Sequence, residues 1–225
     1  MVSLNLGRRC EFHTHTFYSD GVLCPIELVR RAFVLGDSVI AITDHVDFTN
    51  IESVLRQQRK LKGNVSWDIR VLVGVELTHI PVDKIPKLAG KARQLGADLV
   101  ILHGESPCEP VEKGTNRVGV KCRDVDILAH PGYITLDEAE LARKNNVYLE
   151  LTSRNGHCDG NVHVAEMAVE AKAKLLVNTD AHEPEDLITQ EEALKIAVAA
   201  GLSESDTLHV VKNNPKEFMK KLKLK

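Results

Sequence analysis

The stretch RVLVGVELTHIPVDKIPKLAGKARQLGADLVILH, residues 70–103, shows two kinds of pattern in turn. An apolar, β-branched run at 70–77 is followed by a helix-type run at 82–96 and a second apolar run at 97–102. Runs that are apolar on both faces are typical of parallel strands covered on both sides. Two such strands joined by a helix form a β/α/β unit, so the stretch predicts a parallel α/β fold.

The same alternation continues in both directions along the chain. Further strands are predicted at 10–13, 38–43, 125–129, 146–151 and 173–179, and further helices at 25–36, 52–63, 135–145, 161–172 and 189–201. Seven strands, each followed by a crossover, predict a closed or nearly closed β/α barrel. An open doubly wound sheet is the alternative, but no G-x-G-x-x-G follows the first strand to favour a dinucleotide-binding fold.

No linker or repeat divides this alternation, so residues 1–225 are expected to form one domain. The longest connection, 105–123, carries glycines and charges and is expected to be a lid or a surface loop. Residues 203–225 are expected to form a helical tail. Its lysine-rich end, KEFMKKLKLK at 216–225, is interpreted as a solvated helix, with a basic arm as the alternative.

Composition narrows the classes of function. The net charge of −3 offers no strong field for nucleic acid or a membrane surface. The N-terminus lacks a long apolar segment, and no run of about 18 apolar residues occurs, so neither a signal peptide nor a membrane span is expected. Five cysteines without a C-x-x-C argue against a disulfide framework and fit a reducing cytoplasm.

Polar side chains capable of binding metal lie at the carboxyl end of every predicted strand. In chain order they are His13 and His15, Asp44 and His45, Glu76, His103, His130, Glu150, and Asp180 and His182. In a β/α barrel these ends converge on one mouth. His13 and His15 are two residues apart and can therefore point the same way.

The joint pattern is what favours a metal site. A single histidine at a strand end is more often a hydrogen-bonded loop residue than a ligand. Here five of the seven strand ends offer histidine and the other two offer glutamate, for which packing gives no reason. Imidazole and carboxylate are suitable ligands for Zn²⁺, Fe²⁺ or Mn²⁺. Without a cation, carboxylates gathered in one mouth would repel each other.

The motifs FHTHTFYSDG, AITDH, GVE, LHGE, AHPG and NTDAH, within residues 11–182, resemble the successive motifs of the PHP family, named for polymerase and histidinol phosphatase domains. The resemblance implies a single-domain, distorted (β/α)7 barrel. It also implies two or three divalent metal ions, Zn, Mn or Fe, and hydrolysis of phosphoesters.

Carried over by position, the resemblance implies three groups of ligands. They are His13, His15, Glu76 and Asp180; Glu76, His103 and His130, with Glu76 bridging; and Asp20, His45 and His182. The same resemblance makes Glu76, Asp180 and His182 the catalytic candidates. Glu11 stands where the family more commonly has Asp, and we expect Glu11 and Asp44 to orient ligands rather than to bind metal.

Other polar residues near the predicted strand ends are each compatible with more than one role. Arg154, just past the sixth strand, is the candidate to hold a substrate phosphate oxygen, with a surface arginine as the alternative. His79 is equally compatible with substrate contact and with a plain loop. His157 and His163 are interpreted as loop or helix residues, with substrate contact as the alternative, and His209 as a surface residue.

The predicted reaction is hydrolysis of a small phosphoester by a metal-activated water, as in a phosphatase of the histidinol-phosphatase type. Three alternatives remain: a phosphodiesterase or exonuclease on nucleotides, a non-catalytic RNA-associated barrel like the ribonuclease P protein subunit, and hydrolysis of a non-phosphate bond as in related amidohydrolases. The expected partner is a small phosphorylated substrate. No aromatic-studded basic groove is present, which disfavours a long nucleic acid.

Overall fold

The computed structural model describes residues 6–223, and its centre is a sheet of parallel strands. The strands are β1 Cys10–Glu11, β2 Val39–Ile42, β3 His45–Val46, β4 Arg70–Leu77, β5 Leu99–His103, β6 Ile127–Ala129, β7 Tyr148–Thr152 and β8 Leu175–Asn178. Their order is β1-β2-β4-β5-β6-β7-β8, and β3 also pairs with β4. Because β2 and β3 run along the same neighbour, they are two parts of one strand position. The seven positions match the prediction.

The sheet comes close to closing on itself between β1 and β8. Beyond the two strands, Thr14 and Ala181 form an isolated parallel bridge. The His15 N–H donates to the Ala181 carbonyl at 2.8 Å. Nearer the strands, the Phe12 N–H donates to the Asn178 side chain at 3.3 Å, so a side chain replaces the ladder there and β1 is shorter than predicted. The barrel prediction is confirmed, and the open doubly wound alternative is not.

The helices alternate with the strands and cover the outside of the sheet. They are α1 Pro25–Leu35, α2 Ile51–Gln58, α3 Ile85–Gln94, α4 Thr115–Gly119, α5 Leu136–Asn145, α6 Asn161–Ala171, α7 Gln190–Ala199, α8 Glu204–Leu208 and α9 Asn214–Lys223. Local signals fix several ends: α1 starts at a proline and ends at Gly36 in the left-handed conformation, and Thr135 and Thr189 form capping boxes. Among the helices of residues 6–223, none has the length and apolar character needed to span a membrane.

The two faces of the strands serve different layers of the molecule. The outer face packs against the helices through residues such as Val73, Val75 and Leu102. The inner face fills the lower barrel with residues such as Leu72, Leu99 and Ile101. Side chains alternate along a strand, so the next inward positions toward the carboxyl ends share this inner face. These positions are polar and form the site described below.

The C-terminal segment closes the amino-terminal end of the barrel. Phe218 on α9 is 0% exposed, and its ring lies 4.8 Å from that of Phe12 and 4.9 Å from that of Tyr148. Lys221 donates to the Asn146 carbonyl at 2.7 Å. The lysine-rich end therefore has one face in the core, whereas the sequence indicated a helix that is solvated. Residues 224 and 225 of the predicted tail, and residues 1–5 of the predicted domain, lie outside the described part of the chain.

Candidate metal centre

The first predicted group of ligands converges at the barrel mouth. The His13 Nε2 atom lies 3.3 Å from Glu76 Oε2 and 3.5 Å from Asp180 Oδ1. The His15 Nε2 atom lies 3.5 Å and 3.0 Å from the same two oxygens. All four side chains are buried, and their ligand atoms are close enough to share one ion.

Of the predicted second group, His103 and His130 lie together with His157, and Glu76 approaches this cluster at His130. His157 lies in a 3₁₀ turn, His157–Gly160, after β7, which agrees with the loop or helix position expected for it, and its side chain is buried. His130 Nε2 lies 3.7 Å from Glu76 Oε1. Glu76 thus presents Oε1 to His130 and Oε2 to His13 and His15, and Oε2 also lies 2.8 Å from His45 Nδ1 of the third predicted group.

The third group lies nearest to solvent. His182 Nε2 lies 3.2 Å from Asp20 Oδ1, and His45 Nε2 lies 3.6 Å from Asp20 Oδ2. His15 is the fourth residue close enough to share an ion with them. Asp20 is on the turn after the first strand, and its side chain is 56% exposed.

The inner ligand atoms lack hydrogen-bond partners. Of the buried side-chain N and O atoms in the described residues, the unpaired ones in this cluster are His13 Nε2, both ring nitrogens of His15 and of His130, both Glu76 oxygens and Asp180 Oδ1. Buried polar atoms are otherwise almost always paired. Two ligands about 2.1 Å from one tetrahedral ion lie about 3.4 Å apart, close to the N–O distances in the first two groups. These side chains therefore fit divalent cations.

A second layer of buried carboxylates holds the ligands in place. Glu150 accepts hydrogen bonds from His13 Nδ1 at 2.9 Å, the His130 N–H at 3.1 Å and the Asn178 side chain at 2.8 Å. These hydrogen bonds let Glu150 fix the ring of His13 and the backbone of His130. Such outer partners set the ring orientation and basicity of metal ligands.

Glu11 and Asp44 position backbone. Glu11 accepts the N–H groups of His13 and Thr179 at 3.0 and 3.2 Å and pairs with Arg9 at 2.5 Å, so it ties the first strand end to the last. Asp44 accepts from the Thr16 N–H at 2.6 Å and from the Ser19 and Gln58 side chains. It therefore orders the turn that leads to Asp20. Both contacts agree with the orienting roles expected for them.

Three residues at the site adopt backbone angles that side chains other than glycine rarely take. Asp180, His79 and His130 have φ values of 54°, 52° and 27°. Such conformations cost free energy and persist where the surrounding structure holds them, which is common at functional sites. For Asp180 and His130, the strained backbone brings the side chain into the ligand cluster.

The cluster shifts the pKa values of its members in opposite directions. Burial opposes the charged form of His13, but the carboxylates of Glu150 and Glu76 outweigh it and raise its pKa well above the ordinary value. Burial together with neighbouring histidines lowers the pKa of His130 well below it. Burial raises the pKa of Asp180 to about 7 despite the nearby His13. Opposed shifts within one buried cluster are typical of functional sites.

The rim of the mouth carries Arg154, His79 and Glu109. Arg154 donates to the Asp180 carbonyl at 3.3 Å and lies 3.5 Å from Asp186, with its side chain 32% exposed. Glu109 extends inward from the connection predicted as a lid or a surface loop, and its Oε2 lies 3.1 Å from His79 Nε2. The remaining histidines lie elsewhere: His163 bonds the Ile134 carbonyl, and His209 is exposed on the C-terminal segment.

Sequence reasoning missed Glu109 and undervalued His157. Glu109 lies in a charged loop, SPCEPVEKG, with nothing to distinguish it from Glu112. His157 lies five residues beyond the end of β7, too far for strand alternation to place it. The one signal for His157 in the sequence is its position in the connection after β7, the strand that carries Glu150.

The model of the PHP domain matches residues 11–190. This chain belongs to the PHP family. An uncharacterized protein of Methanocaldococcus jannaschii is 49% identical over 217 residues, covering 95% of this chain and 100% of its own. A probable phosphatase of Thermoanaerobacter sp. is 28% identical, covering 95% of each chain. Ribonuclease P protein component 3 of Methanosarcina mazei is 28% identical, covering 90% of this chain and 85% of its own.

Solved structures share the fold at low sequence identity. A chain in the structure of archaeal ribonuclease P with mature tRNA aligns with a TM-score of 0.67 at 15% identity, covering 94% of this PHP-family chain and 89% of that one. Histidinol phosphate phosphatase from Lactococcus lactis, solved with zinc, L-histidinol and phosphate, aligns with a TM-score of 0.59 at 13% identity, covering 96% and 94%. Both likenesses support the PHP-type barrel.

Proposed function

We propose that this protein is a metal-dependent phosphoesterase that hydrolyses small phosphomonoesters at the barrel mouth. The observation that carries the proposal is the set of buried imidazole and carboxylate atoms that have no hydrogen-bond partner and face one another. Similarity to a probable phosphatase over nearly the whole chain supports the same class of reaction.

Each ligand group has a proposed role. His13, His15, Glu76 and Asp180 hold one ion, Glu76 with His103 and His130 a second, and Asp20, His45 and His182 a third. Bound Zn, Mn or Fe would supply a water of lowered pKa and neutralise charge on the phosphoryl oxygens. Glu76 is proposed to bind both of the first two ions, because its two oxygens face different histidines. Asp180 and His182 are the proposed catalytic partners on the last strand end.

Arg154 is the proposed substrate contact. Its guanidinium lies beside Asp180 and remains partly exposed, so it can reach an oxygen of a ligand in the mouth. A guanidinium suits phosphate because it offers paired donors in a plane. Its present contacts with Asp180 and Asp186 keep it at that position.

The test combines metal analysis with a substrate panel. Protein purified without chelators is expected to contain two or three metal ions per chain and to hydrolyse p-nitrophenyl phosphate or histidinol phosphate faster than bis(p-nitrophenyl) phosphate. The His130→Asn variant should lose turnover by more than about 100-fold together with metal. The matched control is His209→Asn, an exposed histidine far along the chain. Full activity and full metal content in His130→Asn would reject the assignment.

Association with RNA is the second candidate function. It is favoured by 28% identity to ribonuclease P protein component 3 over 90% of this chain. RNA binding in a filter assay, with no turnover of any ester by the metal-loaded protein, would support this candidate. Turnover that is lost in His130→Asn would instead support the phosphoesterase.

A further inference from the structure

The connection between β5 and β6 begins with a strap, residues 105–116, that is fixed at its base. The Glu105 carboxylate accepts the N–H groups of Gly114 and Asn116 at 2.9 and 3.0 Å. The Asn116 side chain accepts the Glu105 N–H at 2.9 Å and donates to the Pro131 carbonyl at 2.8 Å. The tip projects from this base, and Cys108 and Pro110 on it are exposed.

Between these two exposed residues, Glu109 turns inward to three histidines. Its Oε2 atom lies 3.1 Å from His79 Nε2 and 3.2 Å from His103 Nε2. Its Oε1 atom lies 3.3 Å from His157 Nε2. Ser106 holds the other nitrogen of His157 at 2.7 Å, which directs this ring toward the carboxylate. Three imidazoles from three different elements thus surround one oxyanion.

The position that Glu109 fills is suited to another oxyanion. Imidazole N–H groups donate to phosphate oxygens as they do to a carboxylate. The Glu109 side chain is 35% exposed, so the position opens to solvent. It also adjoins His103 of the second ligand group. A phosphate that arrives there meets the negative charge of Glu109, and like charges a few ångströms apart repel strongly in a partly buried site.

We infer that His79 and His157, beside the ion proposed at His103, form a binding position for a phosphate group, and that Glu109 occupies this position until the ligand displaces it. The inference rests on the proposed function, because the ligand is the phosphate of the proposed reaction. Glu109 is then a specificity-determining residue. It favours ligands whose phosphate carries enough negative charge to compete for the imidazoles of His79 and His157. The fixed base of the strap lets the tip move while its ends stay in place.

The test is calorimetric binding of inorganic phosphate to the metal-loaded protein, with metal per chain measured for each variant. Glu109→Gln keeps the size of the side chain and removes its charge, so we expect it to bind phosphate about tenfold more tightly than the wild type. The matched control is Glu112→Gln on the same strap, whose carboxylate accepts the Val82 N–H and should leave phosphate affinity unchanged. Adding His79→Asn to Glu109→Gln should remove most of the gain.

Two results would overturn the inference. One is phosphate affinity in Glu109→Gln that equals or falls below that of the wild type. The other is loss of one metal ion per chain in that variant, which would make Glu109 a metal ligand. Binding is measured without turnover, so an inactive wild type would reject the proposed phosphoesterase and leave the comparison of phosphate affinities readable.

Discussion

Two glutamates on the inner face, Glu76 and Glu150, are both fully buried but differ in their hydrogen bonds. The oxygens of Glu150 bond His13, the His130 backbone and Asn178. Neither oxygen of Glu76 has a hydrogen bond of its own, because His45 Nδ1, 2.8 Å from Oε2, bonds the Thr78 hydroxyl at 2.6 Å. An unpaired buried carboxylate is costly unless a cation satisfies it. The difference in hydrogen bonds thus distinguishes Glu76, a proposed metal ligand, from Glu150, which positions a ligand.

Replacement of Glu150 tests its positioning role. In Glu150→Gln we expect turnover to fall by about 10- to 100-fold, with weaker metal binding, because His13 loses a charged acceptor for its Nδ1 proton. Steady-state kinetics and metal titration measure both effects. Glu166→Gln, an exposed change on α6, is the control. Unaltered metal affinity in Glu150→Gln would contradict the role.

Asp37 gives a pH-dependent contribution to stability outside the site. Its side chain is buried, with Oδ1 unpaired, and burial raises its pKa to about 7 against the attraction of Arg9. The folded state therefore keeps a proton that the unfolded state releases above about pH 4. Stability contributed by this group is present at low pH and is lost as pH rises toward 7.

Asp37→Asn should therefore stabilise the protein at pH 8 by on the order of 1–3 kcal/mol, with a smaller gain at pH 5, because the amide cannot ionise. Urea denaturation at the two pH values measures the free energies of unfolding. Asp83→Asn, at an exposed position, should show no such trend. A gain that is equal at both pH values would disprove the linkage to Asp37.

At the scale of elements, the break between β2 and β3 ties the second strand position to the segment that follows β1. Thr43 leaves the ladder, and its N–H donates to the Thr14 carbonyl at 2.8 Å, while the Thr14 N–H donates to the Thr43 hydroxyl at 3.1 Å. These bonds hold the backbone between His13 and His15 beside the second strand position. The break thus places the first pair of histidines opposite His45.

The strap packs closely against Gly132, which lies just after β6. A Cβ added there would lie 2.2 Å from the Glu105 carbonyl oxygen, and φ is 56°. Gly132→Ala is therefore expected to lower the free energy of unfolding by more than about 2 kcal/mol. Gly63 has φ of 80° and nothing within 4 Å of an added Cβ, so Gly63→Ala should cost only about 1 kcal/mol. Equal costs in urea denaturation would mean that the close approach at Gly132 has no effect.

At the scale of the whole molecule, the two ends of the barrel have different roles. The carboxyl ends of the strands gather the polar cluster, and the amino ends are closed by Phe218 from the last helix. Phe218→Ala should lower the free energy of unfolding by about 3–5 kcal/mol because it leaves a cavity between Phe12 and Tyr148. Phe48→Ala, at a 42% exposed side chain, is the control and should cost much less. A loss below about 1 kcal/mol for Phe218→Ala would show that the helix is dispensable for closure.

Much of the fold followed from local pattern. The strand positions, the crossovers and the capped helices are set by periodicities of two and 3.6 residues and by end signals such as Pro25 and Thr135. The short first strand was not predictable in this way. It ends early because the side chains of Glu11 and Asn178 take over the backbone hydrogen bonds, with partners 168 and 166 residues away along the chain.

The sequence by itself determined which chemical groups lie at the strand ends, because parallel β/α units bring every carboxyl end to one mouth. That is why His13, His15, Glu76, His130 and Asp180 could be named before the structure was known. Only the tertiary structure decided which atoms face one another, that His157 joins His103, and that Glu109 folds back from the strap onto them. These contacts depend on the paths of connections between strands, which no periodic pattern encodes.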